Sequence, residues 1–158
     1  MITASDILEN KGAKIFTIGM NATVADALHI MMENKIGAIC VTDDNNEIKG
    51  IWTERDLMKN VITEGFYSKT TKIKDVMSTK LKSSLYTDSL YQLMDKCLGM
   101  RLRHLLIEKD GKYIGLLSAG DLARANLMQK LEELEELNQM ADWDYYENWK
   151  WKKSKKNS

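Results

Sequence analysis

Two hydroxyl–carboxylate pairs have the residue types and the spacing to do chemistry. The pairs are Thr53 with Asp56 and Ser118 with Asp121, and each pair follows a glycine and two apolar residues. A hydroxyl with a carboxylate three residues later is typical of a helix N-cap. Each pair can therefore serve only as a cap, or it can also meet a ligand at the start of the helix. A single copy of the pattern does not separate these two readings.

The two pairs close two copies of a longer repeat. Residues 23–28 align with 89–94, and residues 36–41 align with 102–107, in one register without a gap. One residue is then lost in a polar turn, where a deletion is well tolerated. Each copy predicts a strand, a helix, two strands joined by a turn, and a closing helix that begins at the hydroxyl. The predicted ranges are 15–18, 23–34, 38–42 and 48–52 in the first copy and 81–84, 89–99, 104–107 and 113–117 in the second.

The repeat predicts how the chain is organised. Each copy has about 50 residues, which is too few to bury a sufficient core alone. The sequence therefore predicts an α/β fold of the α+β kind, in which two tandem strand–helix–strand–strand–helix repeats pack as one pseudo-two-fold module with two related clefts, followed by a C-terminal helix. The predicted segments are a first repeat at 1–63, a linker at 64–72, a second repeat at 73–125, an amphipathic helix at 126–149 and a basic tail at 150–158.

Composition narrows the class of protein. The chain has 158 residues, of which 44% are hydrophobic and 29% are charged, as expected for a globular protein. Because its formal net charge is zero, the field of the whole chain does not attract nucleic acid or anionic membrane. The sequence has no apolar run that predicts a membrane span, and residues 1–12 do not resemble a secretory signal. We therefore expect a cytoplasmic protein.

The other reactive side chains form no catalytic or metal-binding pattern. Cys40 and Cys97 do not have metal-ligand spacing, and Cys40 lies in an apolar run that predicts a buried thiol. His29 and His104 are distant in sequence, and neither accompanies a nucleophile motif. The repeats and the tail account for the whole chain. We therefore expect no enzymatic activity, no catalytic cofactor and no metal.

The repeat resembles the cystathionine beta-synthase (CBS) domain, of which two in tandem form a Bateman module. Four phrases are similar to those of small stand-alone bacterial proteins that consist of one CBS pair: KIGA at 35–38, TERD at 53–56, KDVM at 74–77 and MRLRHL at 100–105. The resemblance covers roughly residues 2–125. It rests on the paired pattern, because each phrase alone is a weak signal.

The resemblance implies that adenosine-containing ligands such as AMP, ADP, ATP or NAD bind in the clefts between the repeats. It implies that Asp56 and Asp121 accept hydrogen bonds from ribose hydroxyls and that Thr53 and Ser118 donate to phosphate. Elementary physics agrees, because the start of a helix favours an anion. The residues implied to enclose the adenine are Ile36, Gly37, Ala38, Ile39, Leu102, Arg103, His104 and Leu105, with polar contacts from Thr17 and Ser83.

The two copies differ beside these residues. Arg55 of the first copy stands where the second copy has Gly120. Arg103 of the second copy stands where the first has Gly37. Each arginine, and His104 beside the second one, can bind phosphate in its cleft or can serve only in packing, at the solvated surface or in a subunit contact. We therefore expect two sites of different affinity.

The C-terminal part of the chain has its own pattern. A four–three spacing typical of a coiled-coil seam is formed by Leu127, Leu131, Leu134, Asn138, Ala141 and Tyr145. This helix either pairs with another copy or lies on its own module. Tryptophans and lysines alternate in residues 149–156, which can touch nucleic acid or an anionic membrane, or can remain a solvated end.

We therefore expect a regulatory module that senses an adenine nucleotide and signals to an unidentified partner protein. Ligand binding would shift the population between two arrangements of the repeats. The family likeness also implies a homodimer. Two alternatives remain: a ligand-free scaffold or assembly protein, and a nucleic-acid-binding accessory protein that acts through the lysine-rich tail.

Overall fold

The structure is a computed structural model that describes residues 1–12 and 14–140, with side chains to residue 137. The order strand–helix–strand–strand–helix occurs twice, which confirms the predicted fold class. The first half contains α1 (Ala4–Lys11), β1 (Thr17–Gly19), α2 (Val24–Asn34), β2 (Ala38–Thr42), β3 (Ile48–Thr53) and α3 (Glu54–Val61). The second contains a 3-10 turn (Ile73–Asp75), β4 (Ser83–Leu85), α4 (Leu90–Gly99), β5 (His104–Lys109), β6 (Lys112–Ser118) and α5 (Ala119–Met140).

Several elements differ from their predicted form. Strands β1 and β4 begin two residues later than predicted, at Thr17 and Ser83, where their registered pairing with β2 and β5 begins. The second repeat begins with a short 3-10 turn, whereas the first begins with helix α1. Helix α5 continues from Ala119 to Met140 without a break at residue 125, so the closing helix and the start of the predicted C-terminal helix are one element.

Each repeat forms a three-stranded sheet that brings its closing helix beside its middle strand. The strand orders are β1-β2-β3 and β4-β5-β6, with a parallel pair followed by an antiparallel pair. Ala38 pairs with Thr53, and His104 pairs with Ser118. The hydroxyl that begins each closing helix therefore lies beside the first residue of the neighbouring strand.

The hydroxyl–carboxylate pairs do cap their helices. Thr53 and Asp56 form a reciprocal capping box at the start of α3, in which each side chain bonds the other residue's backbone amide. The Ser118 and Asp121 side chains make the same two bonds at the start of α5. Helices α1, α2 and α4 have such boxes too. Capping alone therefore does not distinguish the two closing helices from the others, whereas their positions in the fold do.

The segment that leads into each repeat packs on the other repeat. Helix α1 contributes Ile7 and Leu8 to the hydrophobic cluster that contains Leu117 of the second repeat. Conversely, Ile73 and Met77 pack in the cluster of the first repeat. The two repeats are therefore joined by the crossed packing of these lead-in segments.

This crossed packing explains the glycine that begins each repeated motif. A Cβ atom on Gly50 would overlap the side chain of Met77, and a Cβ atom on Gly115 would overlap the side chain of Leu8. Each glycine therefore leaves room for a side chain from the lead-in segment of the other repeat, which is Met77 at Gly50 and Leu8 at Gly115.

Gly50→Ala and Gly115→Ala should each lower the free energy of unfolding by about 1–3 kcal/mol, because overpacking forces neighbouring side chains to move. Gly99→Ala is the matched control, since a Cβ atom there meets nothing within 4 Å. Urea denaturation measures the difference. If Gly115→Ala were as stable as Gly99→Ala, the contact with Leu8 would not constrain this position.

Candidate ligand-binding clefts

The first cleft lies between the start of α3 and the second repeat. Residues Thr53–Asp56 form one side, and residues 80–82 and 101–104 form the other. Its cavity volume is about 190 Å³. The capping box of one repeat thus faces the chain before β4 and β5 of the other repeat.

The second cleft is the pseudo-symmetric counterpart of the first. Ser118 and Asp121 face residues 14–16 and 35–38 of the first repeat, and the cavity volume is about 290 Å³. His104 lines both clefts, so it lies between them. Each cleft is built from both repeats.

Most of the predicted binding residues line these clefts. The first cleft contains Gly37, Thr53, Arg55, Asp56, Leu102, Arg103 and His104. The second contains Ile36, Gly37, Ala38, His104, Ser118 and Asp121.

Four predicted residues lie elsewhere. Ile39 and Leu105 are 0% exposed in the two hydrophobic clusters, because successive side chains of a strand point to opposite faces of the sheet. The Ser83 hydroxyl donates to Glu108 Oε2 at 3.2 Å. Thr17 is exposed, and its neighbour Phe16 lines the second cleft instead. These four residues therefore line neither cleft, and a role for them in binding stays a prediction.

Positive side chains that the sequence reading missed surround both clefts. Among the described residues that line the first cleft, the sequence had predicted two cations, Arg55 and Arg103. The first cleft is lined by Arg55, Lys80, Lys82, Arg101 and Arg103, and the second by Lys11, Lys14, Lys35 and Arg124. The carboxylates of the two linings are fewer: Glu54, Asp56 and Asp121. Since the whole chain has no net charge, these clefts concentrate positive potential. The lysines just before the first strand of each repeat were the sequence signal that could have predicted this positive charge.

Asp56 keeps one carboxylate oxygen available in the first cleft. Its Oδ2 accepts from the Thr53 amide at 3.0 Å and from the Thr53 hydroxyl at 3.1 Å. Its Oδ1 accepts no hydrogen bond from the described residues. The half-buried carboxylate can therefore accept further hydrogen bonds from a ligand.

Asp121 is held more tightly in the second cleft. Its Oδ2 accepts from the Ser118 amide and from the Lys11 ammonium, both at 2.7 Å, and its Oδ1 lies 3.8 Å from an Arg124 guanidinium nitrogen. Burial of Asp121 opposes ionisation, but the hydrogen bonds from Lys11 and Ser118 outweigh it and hold the pKa of this carboxyl below its usual value. Asp121 is therefore ionised at neutral pH.

His104 is a neutral group between the two clefts. Burial lowers its pKa, and the nearby Lys11 ammonium acts in the same direction. Because the ordinary pKa of histidine is already about 6.5, the imidazole is mostly uncharged at pH 7. It offers one hydrogen-bond donor and one acceptor.

The described residues show no other reactive centre. They contain no group of three or more His, Cys, Asp or Glu side chains that could hold a metal ion. Cys40 and Cys97 are buried free thiols, and burial raises the pKa of Cys40 to about 12. Among the helices described, none has the length and apolarity to cross a membrane.

The chain belongs to the CBS domain family. The family model matches twice, at residues 4–63 and 73–127. The protein is therefore a tandem pair of CBS domains, and the resemblance seen in the sequence is confirmed.

Known proteins of similar sequence and structure support this assignment. The chain is 32% identical over 151 residues to the CBS domain-containing protein CBSX3, mitochondrial, of Arabidopsis thaliana, covering 90% of this chain and 73% of that protein. The crystal structure of ATU1752 from Agrobacterium tumefaciens is similar with a TM-score of 0.74 and 32% identity, covering 78% of this chain and 92% of that one. CBSX2, whose structure was determined in complex with AMP, has a TM-score of 0.65 and 26% identity, covering 82% and 99% of the two chains.

Proposed function

We propose that this protein is a regulatory module that binds adenine nucleotides between its two CBS repeats and passes their occupancy to a partner protein. One observation carries the proposal: in each cleft a carboxylate at the start of a helix lies among an excess of cations. This combination suits a ligand that has both vicinal hydroxyls and phosphate. The AMP complex of CBSX2 supports adenine nucleotides as the ligand class.

In the first cleft, Asp56 would accept hydrogen bonds from the ribose through its available Oδ1. The Thr53 hydroxyl already donates to Asp56 at 3.1 Å, so it must rotate before it can donate to phosphate. The amides at the start of α3 and the guanidinium of Arg55 supply further positive charge for the phosphate.

In the second cleft, Ser118 and Asp121 would have the same two roles. The Ser118 hydroxyl accepts from the Asp121 amide at 3.1 Å, and its proton remains available for a phosphate oxygen. Thus the two clefts differ in which hydroxyl is ready to donate.

The adenine would lie against the strand starts that face each capping box. Leu102 and His104 provide this surface in the first cleft, and Ile36 and Ala38 provide it in the second. Both cavities are smaller than the roughly 300–1,000 Å³ of typical small-molecule sites, so the phosphates would remain at the mouth among the cations.

Ligand binding would change the relative population of two repeat arrangements. Because each cleft is lined by both repeats, a bound nucleotide favours the arrangement that it binds more tightly, and only by that difference in affinity. Helix α5 begins at the second cleft and carries the exposed side chains of Leu127, Leu131 and Leu134. We propose that α5 transmits this change to a second copy of the chain in a homodimer or to a partner protein.

Calorimetric titration of the full chain with AMP, ADP, ATP and NAD tests the proposal. The expected result is saturable heat for at least one nucleotide and a higher melting temperature in its presence. Adenosine and inorganic phosphate, titrated separately, should bind more weakly because each contacts half of the site. No heat and no thermal shift with any nucleotide would favour the ligand-free scaffold.

The predicted seam residues Ala141 and Tyr145 and the basic segment 149–156 lie outside the described residues, so a tail that binds nucleic acid stays a prediction.

A further inference from the structure

An internal ion pair occupies the carboxylate of the second cleft. Lys11 is the last residue of α1, and its ammonium donates to Asp121 Oδ2 at 2.7 Å and to the Leu116 carbonyl at 2.9 Å. The Asp121 side chain is only 10% exposed, whereas that of Lys11 is 37% exposed. The lysine therefore approaches a mostly buried acceptor from the solvent side.

The first cleft has the corresponding lysine but not the ion pair. Leu8 and Met77 fill equivalent positions against the glycines of the two repeated motifs, and three residues later come Lys11 and Lys80. Lys80 lines the first cleft, yet it forms no ion pair with Asp56 or with another carboxylate in the described part of the chain. The two clefts therefore differ in whether the equivalent lysine pairs with the carboxylate of the capping box.

We propose that Lys11 is an internal competitor for the ribose hydroxyls, so that the second cleft binds nucleotide more weakly than the first. The inference rests on the proposed function, because it assigns Asp121 as the ribose acceptor. Asp121 Oδ1 accepts no hydrogen bond from the described residues, as is true of Asp56 Oδ1, but the ammonium on Oδ2 offsets the negative charge that would strengthen a hydrogen bond from a ribose hydroxyl. A ribose that uses both oxygens must also break the charge-assisted bond between Lys11 and Oδ2.

Displacement of Lys11 would also change a contact outside the cleft. Lys11, Asp121 and Arg124 also border another cavity, of about 410 Å³, between α1 and α5. The ion pair between Lys11 and Asp121 therefore lies between the second cleft and this cavity. It links the end of α1 to the start of α5. Nucleotide in the second cleft would break this polar link between α1 and α5 and leave the packing of Ile7 and Leu8 in place, whereas nucleotide in the first cleft would leave the link intact.

The test uses Lys11→Met in the full chain that also carries Asp56→Asn, so that the second cleft dominates the titration with AMP. Methionine keeps much of the length of the side chain and removes its charge. We expect AMP to bind about ten-fold more tightly than it does to the Asp56→Asn protein, since the competing charged hydrogen bond is gone. Lys11→Arg should restore the weaker binding, because a guanidinium can keep the ion pair.

Lys14→Met in the same background is the matched control. Lys14 lines the same cleft, but its ammonium lies 4.8 Å from the centre of the Phe16 ring and pairs with no carboxylate among the described residues. Removing this charge should weaken AMP binding, which is the opposite of the effect expected for Lys11→Met. Unchanged or weaker binding in Lys11→Met would overturn the competitor role while AMP binding to the wild-type chain upholds the proposed function. If AMP and the other nucleotides do not bind the wild-type chain at all, both proposals fail together.

Discussion

Asp56→Asn should weaken AMP binding in the first cleft by about 10- to 100-fold, since a hydrogen bond to a charged group contributes about 1.5–3 kcal/mol and each 1.4 kcal/mol is a factor of ten. Asparagine keeps the shape of the side chain, but it replaces one acceptor oxygen with a donor and removes the negative charge. Isothermal titration calorimetry of the full chain measures the change directly. The tightest site should be the one that is lost.

Asp26→Asn is the control that separates ligand binding from helix capping. Asp26 forms the same reciprocal box with Thr23 at the start of α2, with bonds of 2.9, 2.8 and 3.2 Å. It lies outside both clefts. Because capping contributes about 0.5–2 kcal/mol, both variants should lose a similar amount of stability.

The comparison has two informative outcomes. If Asp26→Asn reduces AMP affinity as much as Asp56→Asn does, the loss comes from general destabilisation of the module. If Asp56→Asn binds AMP with wild-type affinity, its carboxylate is only a helix cap. Only a loss confined to Asp56 supports a role in the site.

The sequence predicted those features that depend on near neighbours in the chain. A hydroxyl with a carboxylate or amide three residues later is a local signal, and helices α2 and α4 follow Thr23 and Ser89 as predicted. The repeat itself predicted two related clefts, because two similar units that share a core must place their closing helices symmetrically. The family model matches both units, which confirms the repeat.

The features that the sequence did not predict depend on contacts between distant segments. Lys11 and Asp121 are 110 residues apart, and nothing local in either segment shows that α1 crosses to the second repeat. Likewise, the alternation of a strand states that Ala38 and Ile39 face opposite sides, but it does not state which side becomes the cleft. The charge of the clefts depends on such contacts too, since the lysines of each cleft come from the repeat that does not supply its capping box.

Trp52→Ala should have the largest effect on stability of any single substitution considered, about 3–5 kcal/mol, because it removes a large side chain from a close-packed core. Trp52 is 0% exposed and lies opposite Ile39 on the neighbouring strand. Its indole nitrogen also donates to Asn60 Oδ1 at 2.9 Å, which joins β3 to α3. Urea denaturation followed by far-ultraviolet circular dichroism measures the loss, because the mutation itself alters the fluorescence.

Trp52→Phe separates the cavity from the hydrogen bond. Phenylalanine fills most of the space but leaves Asn60 without its donor, so we expect a loss of about 1–3 kcal/mol. Met58→Ala is the exposed control, since that side chain is 73% exposed and its removal leaves no cavity. Because α1 and the segment around Ile73 cross between the repeats, Trp52→Ala should shift one common transition. Two separate transitions, with the second repeat unchanged, would mean that the crossed segments do not make the repeats fold as one unit.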